Sequence, residues 1–152
     1  MENKNCIRIT KIFNFEMAHA LFGYNGPCKN VHGHSYELSV TVIGKPEAEK
    51  GNPHLGMVLD FGILKAIVQE LVIGKMDHSI VLNKEAPYAS HLDHEDFFQK
   101  KWLVPFQPTC ENLLLYFSGT IKKTLPSHTQ LHSLKLKETP TSFAEWFQSD
   151  QH

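Results

Sequence analysis

Two stretches of alternating apolar and polar residues near the amino terminus limit the folds that this chain can adopt. The segment IRITKIFNFEMAHAL carries apolar side chains at roughly every second position from Ile7 to Met17. The segment HSYELSVTVIG alternates in the same way from Tyr36 to Val42. The connection FGYNGPCKN between them is rich in Gly, Asn and Pro, which favour turns and loops. We therefore predict two strands that pair as an antiparallel hairpin.

Two amphipathic helices and a late strand are predicted further along the chain. Asp60 is a suitable N-cap for FGILKAIVQELVIG, whose apolar residues recur at spacings of three and four, and we expect Gly74 to end this helix. A second helix is predicted from Thr109, which can cap it, until Pro126. The segment LHSLKLKET alternates as a strand, and SFAEWF forms either a further strand or a tail.

The order of these elements indicates the fold class. Strands, two helices and a strand without regular strand–helix–strand alternation favour an α+β fold, with an antiparallel sheet covered on one face by two helices. The 152 residues and 41% hydrophobic content favour a single domain over residues 1–152. So small a sheet exposes two edges, which pairing with other subunits would protect. We therefore expect a homo-oligomer.

The composition argues against several functions. The 15 basic and 16 acidic residues nearly balance, and no basic run indicates a nucleic-acid groove. We find neither a membrane-length apolar stretch nor the residue order of a signal peptide. The cysteines Cys6, Cys28 and Cys110 are odd in number and widely spaced, which is typical of reduced thiols in a cytoplasmic protein. A small-molecule ligand fits these features better than a nucleic acid or a membrane.

A cluster of metal-binding residues is predicted around the second strand. His32 and His34 lie two residues apart in CKNVHGHSYELSV, so a strand would direct both imidazoles to the same side. His19 ends the first strand, and the hairpin would bring it alongside. Three imidazoles with one open position are typical of catalytic Zn²⁺. Cys28 is either the fourth ligand of a closed structural site or a thiolate beside an open one; we favour the open site.

Three other motifs have both a chemical and a plain interpretation. Asp77 beside His78 in KMDHSIVLN is either a carboxylate that orients a general acid or base, or a turn. Glu138 in LKLKET is either an exposed strand end or a bidentate acceptor for a ligand with paired N–H donors. The histidines and acids of SHLDHEDFF, between positions 91 and 96, are interpreted as the polar surface of a loop rather than a second metal site.

The motifs taken together resemble a known family. The segments FEMAHAL, CKNVHGHSYEL, GMVLDFGILK, MDHSIVLN, PTCEN and KLKET, in this order from about Ile7 to Glu138, are similar to the 6-pyruvoyl-tetrahydropterin synthase family. Within it, they look most like the bacterial branch that makes 6-carboxytetrahydropterin for queuosine biosynthesis. The resemblance implies the tunnelling fold, in which four antiparallel strands and two helices per chain assemble into a trimeric β-barrel, and two trimers commonly stack into a hexamer.

The resemblance also implies the catalytic groups. It implies that His19, His32 and His34 bind Zn²⁺ and that the Cys28 thiolate removes a proton from the substrate. It further implies active sites at subunit boundaries, where the Asp77–His78 pair is offered to the metal cluster of a neighbouring subunit.

The implied substrate is 7,8-dihydroneopterin triphosphate. Glu138 would anchor the guanidine-like edge of the pterin, and Thr109 and Glu111 match the T-x-E-N element that helps to hold it, although both also suit a helix start. The bacterial branch releases acetaldehyde and triphosphate, whereas the other branch stops at a 6-pyruvoyl product. Two features depart from the family pattern: segment 84–107 is unusually long and could form a lid or rim, and the tail after Glu138 matches only loosely.

Two other interpretations of the same histidines involve no pterin. In a zinc hydrolase, Cys28 would be a bystander and its removal would leave activity largely intact. In a structural zinc module, Cys28 would close the site and the domain would unfold on chelation.

Overall fold

The computed structural model of the chain describes residues 5–94 and 98–152. One mixed sheet with the strand order β4-β3-β1-β2-β5-β6 forms the centre of the fold. Its strands are β1 (Ile7–His19), β2 (His32–Gly44), β3 (Ser79–Asn83), β4 (Lys101–Val104), β5 (Thr129–Thr139) and β6 (Ser142–Phe147). The helices are α1 (Phe61–Val68), α2 (Gly74–Met76) and α3 (Cys110–Lys122), and a π-helical segment, Gln69–Ile73, joins α1 to α2.

The long hairpin of β1 and β2 confirms the pairing predicted from the alternating pattern. The two strands are antiparallel along their whole length, from the pair Ile7 and Gly44 to the pair His19 and His32. β5 pairs antiparallel with β2, and β6 with β5, so SFAEWF forms a strand rather than a tail. These four strands account for the antiparallel sheet that the sequence predicted.

The prediction of a purely antiparallel, four-stranded sheet was wrong. β3 lies parallel to β1, and β4 lies parallel to β3, so the sheet has six strands and is mixed. The first four residues of β3 are all buried, and a strand buried on both faces has no apolar–polar alternation to reveal it.

The helices cover one face of the sheet and form the core with it. Phe13, Phe15 and Met17 are buried at alternate positions of β1, whereas the residues between them are exposed. Leu64 of α1 and Phe117 of α3 are fully buried against this face. Two helical segments on one face therefore agree with the predicted layer arrangement.

The helix starts follow the predicted local rules, whereas both predicted helix ends differ from the structure: α3 ends at Lys122 rather than at Pro126. The side chain of Asp60 accepts a hydrogen bond from the Gly62 N–H, and that of Thr109 accepts one from the Asn112 N–H, so both predicted caps are present. The first helical run does not end at Gly74 as predicted but continues to Met76. No helix within the described ranges is long and apolar enough to cross a membrane.

Segment 84–107 contributes the edge strand β4 to the sheet, and it also contains a short 3-10 helical turn, Ala89–His94. Leu92 and Phe98 from this segment pack against Ile80 and Leu82 of β3. The predicted polar loop surface between positions 91 and 96 falls partly on residues 95–97, which lie outside the described residues.

Candidate active site

Three histidines meet at the end of the β1–β2 hairpin that adjoins its connecting loop. His19 lies directly opposite His32 in the strand register, and His34 follows two residues later on the same side of β2. The ring centroid of His19 lies 4.5 Å from that of His32 and 5.3 Å from that of His34. One ring nitrogen from each residue lies within 4.8 Å of those of the other two. The predicted convergence of the three imidazoles is therefore present in the fold.

Backbone carbonyls fix the tautomers of two of these rings. His19 Nδ1 lies 2.7 Å from the Pro108 carbonyl oxygen, and His32 Nδ1 lies 2.7 Å from that of Asn30. Because a carbonyl oxygen only accepts hydrogen bonds, each Nδ1 carries the hydrogen and each Nε2 keeps its lone pair. This carbonyl–imidazole arrangement is the usual outer-shell support of a metal-binding histidine.

Burial keeps the innermost ring neutral. His19 is 2% exposed, and desolvation lowers the pKa of its imidazole below the ordinary value of 6.5, against a smaller opposing effect of the hydrogen bond to Pro108. A neutral imidazole with a free Nε2 is the form that binds a metal ion. The donor set therefore fits an ion that prefers nitrogen ligands, such as Zn²⁺.

The cluster has an open rather than a closed ligand set. Among the described residues, the group of neighbouring ligand atoms at this end of the hairpin consists of the three histidines alone, and Cys28 is not a member. Three protein ligands leave a coordination position for water or substrate, whereas a structural zinc site takes four. This geometry favours the open site over the structural zinc module.

One cavity brings the cluster together with most of the other predicted residues. The cavity has a volume of about 370 Å³. Seven of the nine predicted site residues line it: His19, Cys28, His32, His34, Thr109, Glu111 and Glu138. These residues come from the hairpin, the loop within it, the start of α3 and the end of β5, which are far apart in the sequence but converge in the fold.

The loop between β1 and β2 holds Cys28 at the cavity. Cys28 lies in a short 3-10 helical turn, Pro27–Lys29, and its side chain is half-buried. Its carbonyl oxygen accepts a hydrogen bond of 2.9 Å from the Leu21 N–H, which ties the turn to the end of β1. The thiol is thereby placed at the wall of the cavity that contains the histidines.

A tyrosine that sequence reasoning did not single out links the histidines to Glu138. The Tyr36 hydroxyl donates a hydrogen bond of 3.3 Å to Glu138 Oε1 and lies 3.5 Å from His19 Nε2. Burial, reinforced by the charge of Glu138, raises the pKa of this phenol, so it stays protonated. Tyr36 follows His34 by two residues on β2, so its side chain is on the same face of the strand as His32 and His34. This spacing could have predicted Tyr36 at the site, but a tyrosine that points inward from a strand is usually a core residue.

The start of α3 contributes a second unpredicted residue. Between Thr109 and Glu111, the buried thiol of Cys110 donates to the Leu136 carbonyl oxygen at 3.2 Å. Burial and the nearby Glu138 raise the pKa of Cys110 to about 12. Cys110 is therefore a protonated residue in the wall of the cavity. Cys28, the other cysteine at the cavity, does not share its hydrogen bond to the Leu136 carbonyl.

Asp77 and His78 are the two predicted site residues that do not line the cavity containing all three histidines. Asp77 Oδ1 accepts a hydrogen bond of 2.9 Å from the Glu16 N–H, and its Oδ2 lies 3.0 Å from His78 Nδ1. The hydrogen bond from Glu16 is the main cause that lowers the pKa of Asp77. His78 has a left-handed backbone with φ of 59° and a side chain that is 77% exposed. It lines a second cavity of about 700 Å³ with Glu16, Ser35 and His34, and His34 also lines the cavity of the histidine cluster.

The strained backbone of His78 is held by its neighbours. Its N–H donates to the Glu16 carbonyl oxygen at 2.6 Å, and the Lys100 ammonium donates to the carbonyl of Asp77. A residue other than glycine with a left-handed backbone persists only when surrounding contacts enforce it, and such residues cluster at functional sites. The Asp77–His78 pair is therefore preorganised. Its imidazole is exposed to solvent and does not line the cavity that contains all three histidines.

The fold and the site together define a class of protein: a small α+β protein in which three histidines that could hold a metal ion share a cavity with a thiol and a half-buried carboxylate. The family model of 6-pyruvoyl tetrahydropterin synthase matches residues 8–149. The chain belongs to this family, which confirms the family predicted from its motifs.

Individual relatives carry related names. A 6-carboxy-5,6,7,8-tetrahydropterin synthase from Haemophilus influenzae is 35% identical over 143 residues, covering 91% of this chain and 97% of the relative. A protein of the same name from Synechocystis is 32% identical over 140 residues, covering 91% and 92%. The structure of Caenorhabditis elegans 6-pyruvoyl tetrahydropterin synthase superposes with a TM-score of 0.67 at 25% identity, covering 97% of this chain and 99% of the other.

Proposed function

We propose that this chain is a zinc-dependent lyase that converts 7,8-dihydroneopterin triphosphate and one water molecule to 6-carboxy-5,6,7,8-tetrahydropterin, acetaldehyde and triphosphate. The observation that carries the proposal is the single cavity in which a three-imidazole cluster, a half-buried thiol and a carboxylate meet. Relatives at 32–35% identity bear the name of this activity, which supports the choice of product. The reaction belongs to queuosine precursor biosynthesis, and we assign the protein to the cytoplasm.

The pterin ring is held at one wall of the cavity. Glu138 accepts the paired N–H donors of the guanidine-like edge, which a single carboxylate can bind in a bidentate manner. Thr109 and Glu111 line the same wall at the start of α3. The ring orientation then directs the side chain of the substrate towards His19, His32 and His34, which line the same cavity as Glu138.

The three histidines would hold the metal ion, His19 and His32 through the Nε2 atoms that their bonds to the Pro108 and Asn30 carbonyls leave free, and His34 as the third ligand. A bound Zn²⁺ would supply Lewis acidity towards the side-chain hydroxyls of the substrate, which would acidify the adjacent C–H bond. The Cys28 thiolate removes that proton, since it stands at the cavity wall without being one of the clustered ligands. Proton abstraction beside the phosphorylated carbon permits the triphosphate to leave.

A second subunit completes the site. Asp77 orients the His78 imidazole for proton transfer, yet neither residue lines the cavity that contains all three histidines of their own chain. In a homo-oligomer, trimer or hexamer, the pair of one chain would serve the cluster of its neighbour. The edge strands β4 and β6 and the uncovered sheet face provide the surfaces on which such an assembly can form.

The test is to incubate zinc-loaded protein with 7,8-dihydroneopterin triphosphate and to assay acetaldehyde together with the pterin product. Acetaldehyde with 6-carboxytetrahydropterin is the expected result. A 6-pyruvoyl product without acetaldehyde would assign the activity named for the C. elegans neighbour. Absence of turnover would overturn the proposal in favour of a hydrolase or a structural zinc module.

A further inference from the structure

The Tyr36 hydroxyl lies close to both the histidine cluster and the carboxylate of Glu138. Its oxygen lies 3.5 Å from His19 Nε2 and 3.3 Å from Glu138 Oε1. Both distances are near the long limit for a hydrogen bond, so the hydroxyl is within reach of two groups without being fully committed to either.

One proton is available for these two acceptors. The carboxylate of Glu138 can only accept, and His19 Nε2 also accepts because Nδ1 of the same ring donates to the Pro108 carbonyl. A phenol has a single hydrogen, so a bond from Tyr36 to one acceptor is made at the expense of the other.

The ring of Tyr36 cannot swing away to relieve this competition. It is 1% exposed and stacks on Phe15 with the ring centroids 5.1 Å apart and the planes at 8°. Close packing on both sides leaves rotation of the O–H bond as the available adjustment. Rotation of the O–H bond, and not movement of the ring, therefore selects the acceptor of the hydrogen bond.

We infer that Tyr36 is a positioning residue that couples metal binding at His19 to pterin binding at Glu138; the inference rests on the proposed function. Once His19 Nε2 ligates a metal ion, it no longer accepts, and the hydroxyl donates to Glu138 alone. That bond holds the carboxylate in one orientation before the ligand arrives, and preorganisation of this kind raises affinity. By reciprocity, a bound pterin raises the affinity for the metal by the same factor.

The experiment measures this coupling by calorimetry with Zn²⁺ and 6-methylpterin, a probe that lacks the side-chain hydroxyls of the substrate. The dissociation constant of 6-methylpterin is determined for metal-free and zinc-loaded protein, first for wild type and then for Tyr36→Phe. The matched control is Tyr116→Phe, since Tyr116 lies on α3 and contacts Phe106 and Phe117. Circular dichroism checks the fold, and Tyr36→Met replaces Tyr36→Phe if that variant is unfolded.

We expect zinc to tighten 6-methylpterin binding by at least about 5-fold in wild type and in Tyr116→Phe, but by less than about 2-fold in Tyr36→Phe. Equal affinities in metal-free and zinc-loaded wild type would overturn the coupling while leaving the pterin site intact. Full coupling in Tyr36→Phe would also overturn it, because direct contact between metal and ring would then be the cause. If 6-methylpterin bound in neither state, the proposed pterin site itself would be wrong, and the coupling with it.

Discussion

His19 Nδ1 lies 2.7 Å from the carbonyl oxygen of Pro108, the residue that precedes the cap of α3. This bond joins the end of the hairpin to the start of a helix 89 residues later in the chain. It selects the tautomer that leaves Nε2 free, so the metal-binding form of the ring is set by the packing of α3 against the sheet.

Replacing His19 with glutamine should abolish high-affinity metal binding. The loss should exceed the roughly 10- to 100-fold that removal of an outer-shell partner costs, because a ligand itself is removed. Zinc competition with a chromogenic chelator measures the affinity. His128→Gln, at an exposed position before β5, is the matched control and should bind zinc like wild type; equal affinities for the two variants would contradict the assignment.

The metal-free protein should lose stability as the pH falls below 6.5. Burial lowers the pKa of His19 in the folded state, so the unfolded chain takes up a proton first, and the free energy of unfolding decreases from pH 6.5 downwards. Urea unfolding between pH 7.5 and 5, in steps of about half a unit, measures the slope. His132, whose pKa is also lowered by desolvation, contributes in the same direction, so His19→Gln should reduce the slope without removing it.

Cys28→Ala should lower kcat by about 10²- to 10⁴-fold, the range typical of a positioned acid or base. Zinc content should be unchanged, because Cys28 lies outside the ligand cluster. The control is Cys6→Ala, since Cys6 is exposed at the start of the chain's described part and away from the cavity. Near-normal turnover by Cys28→Ala would instead support the hydrolase, in which this thiol is a bystander.

Glu138→Gln should raise KM for the pterin substrate by about 10- to 100-fold with a smaller effect on kcat. The amide replaces one acceptor oxygen with an NH₂ donor, so it cannot accept the paired N–H donors in a bidentate manner, and a hydrogen bond to a charged group is worth about 1.5 to 3 kcal/mol. Steady-state kinetics separate the two constants. Glu145→Gln, an exposed acid on the neighbouring strand β6, provides the comparison; an unchanged KM for Glu138→Gln would remove the carboxylate from the pterin site.

Mixing two inactive variants should restore activity if the Asp77–His78 pair serves a neighbouring subunit. Cys28→Ala and His78→Ala chains are unfolded together, mixed in equal amounts and refolded. Half of the sites then contain an intact thiol and half of these an intact imidazole from the neighbour, which gives about one quarter of wild-type activity in a closed ring. If both groups act within one chain, the mixture stays as inactive as its components.

The sequence indicated the antiparallel part of the fold because each of its strands has one buried and one exposed face. In β1 and β2, alternation marks the inward positions, and the two-residue spacing of His32 and His34 places both rings on the same side. Thr109 was likewise identified as a cap because a short polar side chain before an apolar helical repeat is a local signal. β3 and β4 carry no such signal, since parallel pairing depends on partners distant in the sequence.

The sequence by itself determined the residue types of the site and the family to which the chain belongs. Only the tertiary structure decided how those residues are supported: the carbonyl of Pro108 behind His19, the Tyr36 hydroxyl beside Glu138, and the outward direction of His78. The physical reason is that hydrogen bonds of this kind join atoms from separate elements, many of them backbone atoms that every residue possesses. The pattern of side chains therefore does not predict which atoms form these hydrogen bonds. The partners are determined only when the hairpin, α3 and β5 pack against one another.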